Sequence, residues 1–243
     1  MLSRSILILA FLSVMCSAQP AVYEGLPAVP SDSRQLIVVA TQSWEATSGS
    51  LQRFERIDGL WEPVSDLIPV VVGRSGLGWG TGLHPEQTLG PLKQEGDGRA
   101  PAGVFSLTEA FGYLESEHTG LPFIHSTPDV ECVDDSNSQF YNRVLNRSEV
   151  DVDWTSHEEM RRRDELYRLG VVVAHNEAAV PQGGSCIFLH IWRGSDSTTS
   201  GCTAMQSFVM ETLVEWLDED ARPILVQLPQ HEYERLRETW RLP

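Results

Sequence analysis

The stretch Ser185 to Leu217, SCIFLHIWRGSDSTTSGCTAMQSFVMETLVEWL, decides how this chain folds. Ser185 to Trp192 is an apolar run, which reads as a buried strand. A polar loop follows. From Thr203 to Leu217, apolar residues at Met205, Phe208, Val209, Leu213 and Trp216 recur at helical spacing. That spacing predicts a helix with one inward face and puts Cys202 at its N-terminal entrance.

Working outward, strands dominate the N-terminal half. Gln35 to Thr41 (QLIVVAT), Leu51 to Arg56 and Ile68 to Val72 have the β-branched content and spacing of strands. Gly73 to Gly103 is rich in glycine, with three prolines, and predicts turns and long loops. Ser156 with Glu159 forms a capping-box pattern ahead of Met160 to Leu169, a predicted helix with Gly170 as its stop. Val171 to His175 reads as a second buried strand, Pro223 to Leu228 as a closing strand, and Gln230 to Trp240 as a terminal helix. Trp79, between two glycines, reads either as a core plug or as a ring offered to a ligand.

The 243 residues suit one main domain. Arg4, the apolar run Ile6 to Met15 and the small residues before Gln19 predict a signal peptide over 1–18, cleaved after Ala18. Lipid attachment at Cys16 is disfavoured by the bulky Met15 before it. Residues 19–34 read as a linker and 35–243 as the main domain, with no membrane span expected in the mature form. A formal charge of −16 opposes nucleic acid and anionic lipid surfaces as partners. The acidic run Glu131, Asp134 and Asp135 reads as solvated loop charge.

Removing Cys16 leaves Cys132, Cys186 and Cys202, an odd count that suggests one bridge and one free thiol in an exported chain. A helix entrance would favour ionisation of Cys202, and Gly201 beside it can open the main chain to an oxyanion. His190 ends an apolar strand twelve residues earlier, within reach as a base, and His175 ends another. Spacing alone does not rank the two. A zinc site is disfavoured, because Cys186 and His190, four apart on a strand, would sit ~13 Å from each other; no metal or cofactor is expected.

Two motifs then resemble the L,D-transpeptidase (YkuD-like) catalytic domain family. His190 followed by Thr199, Gly201 and Cys202 is similar to its strand-end histidine and Ser/Thr-His-Gly-Cys signature, and Asp97-Gly98-Arg99-Ala100-Pro101-Ala102-Gly103-Val104-Phe105 is similar to its second hallmark. The resemblance spans about Gln35 to Leu228 and implies a β-rich mixed α/β fold, a curved sheet or sandwich with flanking helices. It implies Cys202 as nucleophile forming an acyl-enzyme, and His190 as general base oriented by a main-chain carbonyl. It further implies an exported, periplasmic enzyme acting on peptidoglycan stem peptides. Ser200 stands where the family has a second histidine, and Ala204 where many members carry an arginine; Arg193 is the nearest replacement, and Ser200, Arg193 and His175 are candidate substrate contacts. If Cys202 is the free thiol, Cys132 and Cys186 are left to pair. L,D-carboxypeptidase or amidase activity on the same peptides, or a cell-wall-binding module without catalysis, are the alternatives.

Overall fold

QLIVVAT forms strand β1 (Gln35–Thr41), and its residues are buried almost throughout because neighbours cover both edges and both faces. The computed structural model describes residues 28–243; the expected signal peptide and most of the expected linker lie outside the described residues. After β1 come β2 (Ser48–Ile57), β3 (Leu60–Pro63), β4 (Ile68–Val71), β5 (Leu77–Trp79) and the long β6 (Ala100–Gly112). Then follow β7 (Phe123–His125), β8 (Val130–Val133), β9 (Val144–Asn146), β10 (His157–Glu159), β11 (Leu169–Val173), β12 (Phe188–Ile191) and β13 (Thr203–Met205). Helix α1 (Ser207–Trp216), strand β14 (Ile224–Pro229) and helix α2 (Gln230–Trp240) end the chain.

The main sheet runs β1-β14-β6-β11-β12-β13-β4-β2, and β2 pairs back with β1, so the sheet closes on itself. Most neighbours are antiparallel; β1–β14 and β12–β13 are parallel. Closure removes the edges that would otherwise expose unpaired backbone groups. Leu36, Ile37, Val39, Val104, Phe105, Val171, Leu189, Val226 and Leu228 fill the core. Helix α1 buries Val209, Met210, Leu213 and Val214, the face its spacing predicts, and α2 buries Leu236 and Trp240. A small second sheet, β10-β8-β9, stands beside the first. The fold is thus β-rich mixed α/β with two α-helices among the described residues.

Three local expectations are corrected. Met160 to Leu169 is not a helix: β10 ends at Glu159, Met160 is fully buried in a separate apolar cluster, and the chain turns through Arg162 and Asp164 into β11. Gly170 lies inside β11, where an added Cβ would meet Phe111 Cζ at 2.3 Å, so its missing side chain admits a ring rather than stopping a helix. Thr203 to Met205 is a strand and the helix starts only at Ser207, because this segment fills the gap in the ring between β12 and β4. Tertiary pairing here overrides helical spacing. Within the glycine-rich stretch, Leu77–Trp79 and the start of β6 are also strand; Trp79 is buried and meets Trp44 edge-on at 5.1 Å, as a core plug. Glu131 is no solvated loop charge either, since it is buried in β8 and bonded to Arg147, Trp154 and His157.

Candidate active site

The pairing of β12 with β13 sets the site. Leu189 is in register with Thr203 and His190 with Ala204. Side chains alternate along a strand, so Phe188, His190, Cys202 and Ala204 share one face while Leu189, Ile191, Thr203 and Met205 share the other. Burial agrees: Leu189, Ile191 and Met205 belong to the main core, whereas Phe188 and Cys202 belong to the second cluster. His190, Cys202 and Ala204 line one cavity of about 610 Å³, together with Ser200, Gly201, Tyr167, Glu158, Arg162 and Arg193. That volume lies within the range of small-ligand sites.

The Cys202 sulfur is held by main chain. It accepts from the Phe188 N–H at 3.4 Å and donates to the Cys186 carbonyl at 3.6 Å. Burial pushes the thiol up to about 12, with the Glu158 carboxylate acting in the same direction. Because α1 begins five residues later, no helix N-terminus supplies positive potential to the sulfur, which corrects the expected helix-entrance placement. Thr199 locks the approach to the cysteine: its hydroxyl donates to the Cys202 carbonyl at 2.6 Å and accepts from the Gly201 N–H at 3.1 Å. Thr199 is itself pinned to the β4–β5 connection, with Arg74 N donating to its carbonyl at 2.9 Å. Gly201 gives space, since a Cβ there would lie 3.1 Å from the Arg99 carbonyl. Its N–H is already committed to Thr199.

His190 is buried, and its Nδ1 lies 2.8 Å from the Ile191 carbonyl. A carbonyl only accepts, so Nδ1 carries the proton and Nε2 keeps its lone pair. Burial pulls this imidazole down to about 4, so it is neutral at ordinary pH. His175 is not brought to the cavity. Its Nδ1 accepts from the Thr81 N–H at 3.2 Å and its Nε2 donates to the Gly183 carbonyl at 3.0 Å, which leaves neither nitrogen for a substrate and corrects its place among the expected contacts. Arg193 lies at the cavity's exposed side, 3.4 Å from Asp164, and Ser200 is also exposed.

Cys132 and Cys186 are bridged and Cys202 is free. The bridge ties β8 of the small sheet to the segment entering β12, and Asn142 reinforces it by accepting from the Cys186 N–H at 3.0 Å. The second motif braces the neighbouring wall through Lys93, which lines the cavity. Asp97 binds the buried Lys93 ammonium at 2.7 Å and the Arg99 N–H at 2.8 Å, and Gly103 has φ +140° because the His84 ring fills the place of a side chain.

Sequence reasoning missed Tyr167, Glu158 and Arg162. Tyr167 is buried, with its ring edge-on to His190 at 5.2 Å and to Phe188 at 5.6 Å. Its hydroxyl donates to Glu158 Oε2 at 3.4 Å, and Tyr167 and Cys202 belong to one buried cluster and line the same cavity. Arg162 covers the same ring at 5.0 Å and pairs with Asp164 at 2.9 Å. The period-two series Tyr167, Leu169, Val171, Val173, all buried, was the available signal. The helical reading of Met160 to Leu169 concealed it.

No family model and no curated protein matches the chain. Among solved structures it is similar to the helical cell shape determining protein Pgp2 from Campylobacter jejuni, at 12% identity and a TM-score of 0.38, over 81% of this chain and 50% of that one. The chain spans about half the length of that protein.

Proposed function

We propose that this chain is an exported, periplasmic cysteine acyltransferase of the L,D-transpeptidase type, acting on peptidoglycan stem peptides. One observation carries the reading: Cys202 and His190 share a face of two adjacent strands at one cavity, with His190 Nδ1 tied to a carbonyl and Nε2 left as a proton acceptor. The two motif resemblances supply the substrate class, and the closed, β-rich sheet is compatible with the curved sheet or sandwich they imply.

The chemistry starts from a neutral pair. Cys202 Sγ attacks the carbonyl at an L-to-D junction while its proton moves to His190 Nε2, and the oxyanion is met by the Cys202 N–H. Collapse of the tetrahedral adduct breaks the C–N bond, and the imidazolium returns the proton to the departing D-amino acid. The acyl group then passes to an acceptor amine or to water, deprotonated by the same nitrogen; the C–S bond breaks and the imidazolium returns the proton to the leaving Cys202 sulfur. Arg193 and Ser200, both exposed and lining the cavity, would meet the peptide. Whether an amine or water completes the cycle depends on how well the bound acceptor excludes water.

Incubation with tetrapeptide muropeptides tests the reading. Cys202→Ala abolishes product and His190→Ala lowers the rate about 10²-fold or more; undiminished product from the cysteine variant ends the proposal. Product analysis separates cross-linking from L,D-carboxypeptidase or amidase hydrolysis. Intact mass after exposure to a carbapenem separates both from a binding module: wild type gains one adduct and Cys202→Ala gains none.

A further inference from the structure

The nucleophile has a third neighbour that neither motif contains. Tyr167 sits at the entrance to β11, one strand beyond His190, with its ring edge-on to His190 and in one buried cluster and cavity with Cys202. We propose that the Tyr167 hydroxyl is a catalytic hydrogen-bond donor to the Cys202 sulfur, and that Glu158 governs it by competing for the same proton.

The geometry explains why. The sulfur already has the Phe188 N–H as a donor, a neutral main-chain group that holds it in place at rest. As the thiol proton leaves for His190, negative charge develops on an atom buried away from water, where a second donor is worth far more than in solvent. The Tyr167 O–H, in the same buried cluster and lining the same cavity, is the side-chain donor available to answer that charge. It has one proton, and in the resting structure it is directed at Glu158 Oε2, 3.4 Å away, a long bond that yields readily. Turning the hydroxyl from the carboxylate toward the sulfur gives up only that long bond. Burial holds the phenol well above its ordinary value, so it stays a donor and does not act as a base.

The charged and titratable groups facing this pair are few. Glu158 on β10 and Arg162 in the turn after it face the Tyr167 hydroxyl and ring, His190 on β12 faces the ring, and Lys93 from the β5–β6 loop acts on the sulfur. Asp134 and Glu95 act on Glu158 in turn. Glu158 opposes formation of the thiolate twice, by its charge and by taking the hydroxyl proton; Arg162, 3.7 Å from Glu158, softens that opposition.

This inference rests on Cys202 as the reactive sulfur and not on its substrate, so the test uses a substrate-independent probe. The rate of Cys202 alkylation by iodoacetamide is followed against pH in the full chain with its disulfide intact. Tyr167→Phe keeps the ring and its packing; at pH 9 its rate falls about tenfold, and its profile lies about one pH unit higher. Glu158→Gln moves the profile the other way and speeds alkylation. A folded Tyr167→Phe protein that alkylates at the wild-type rate overturns the proposal. Should that variant not fold, Glu158→Gln decides alone: an unchanged or upward-shifted profile overturns it. Loss of muropeptide turnover with these shifts intact would refute the peptidoglycan reading and leave this one standing.

Discussion

The sulfur of Cys202 accepts a hydrogen bond from the Phe188 N–H at 3.4 Å, across the parallel pair β12–β13. That bond sets the sulfur over the strand whose next-but-one residue is His190, on the same side of the pleat. Register, not a helix end, assembles the pair. Both groups are buried and therefore neutral at rest, with the thiol near 12 and the imidazole near 4.

A neutral resting pair has a kinetic signature. Below its pKa a thiol is ionised tenfold more for each pH unit, so alkylation of wild-type Cys202 rises with a slope near one in log rate between about pH 6 and 10. A plateau from neutral pH would instead reveal a standing thiolate and imidazolium.

The Cys132–Cys186 bridge closes a loop of 54 residues and fastens the small sheet to the cavity floor. In the chain-entropy account it contributes about 4 kcal/mol. Denaturant unfolding of the Cys132→Ser, Cys186→Ser double variant should show a loss of that order. Mass mapping of wild type without reductant should find neither of these two cysteines alkylated.

His175 makes the fold sensitive to acid. Burial pulls its imidazole down to about 4, against 6.5 for an exposed ring, so between those values the unfolded chain binds a proton that the folded chain refuses. The sign follows: this stabilisation is complete above about pH 6.5 and is lost as pH falls toward 4, at up to about 1.4 kcal/mol per pH unit. Urea midpoints at pH 7, 6 and 5 should fall in wild type and fall less steeply in His175→Gln. His190 shifts in the same direction, so the variant removes only part of the slope.

Gly103 is required where β6 passes the His84 ring. A Cβ at this position would lie 1.9 Å from His84 Cε1, at a φ of +140° that side chains rarely adopt. Gly103→Ala should cost about 3 kcal/mol or more, read as a lowered Tm, while Gly96→Ala, with open space at a φ of +70°, should cost less.

The strand whose faces are both buried was legible because a long β-branched run leaves little ambiguity: QLIVVAT is β1 to the residue. Gln230 to Trp240 forms the expected terminal helix, α2. Cysteine arithmetic together with the family resemblance pointed to the bridge that is present. Thr203 to Met205 was misread because three residues joined to a true helix inherit its periodicity, and nothing local reports that β12 and β4 lack a strand between them. Tyr167 was missed for the same reason, through a capping pattern at Ser156 and Glu159 that caps nothing here.

From the sequence by itself came the reactive vocabulary of this protein: a cysteine and a histidine at strand and loop boundaries, two further cysteines, and a β-rich frame to hold them. These are properties of residue type and short-range pattern. Only the tertiary structure placed His190 rather than His175 at the cavity that Cys202 lines, brought Tyr167 and Glu158 to it, and buried the thiol. Each of those depends on strand register and on exclusion of water, which are set by residues distant along the chain.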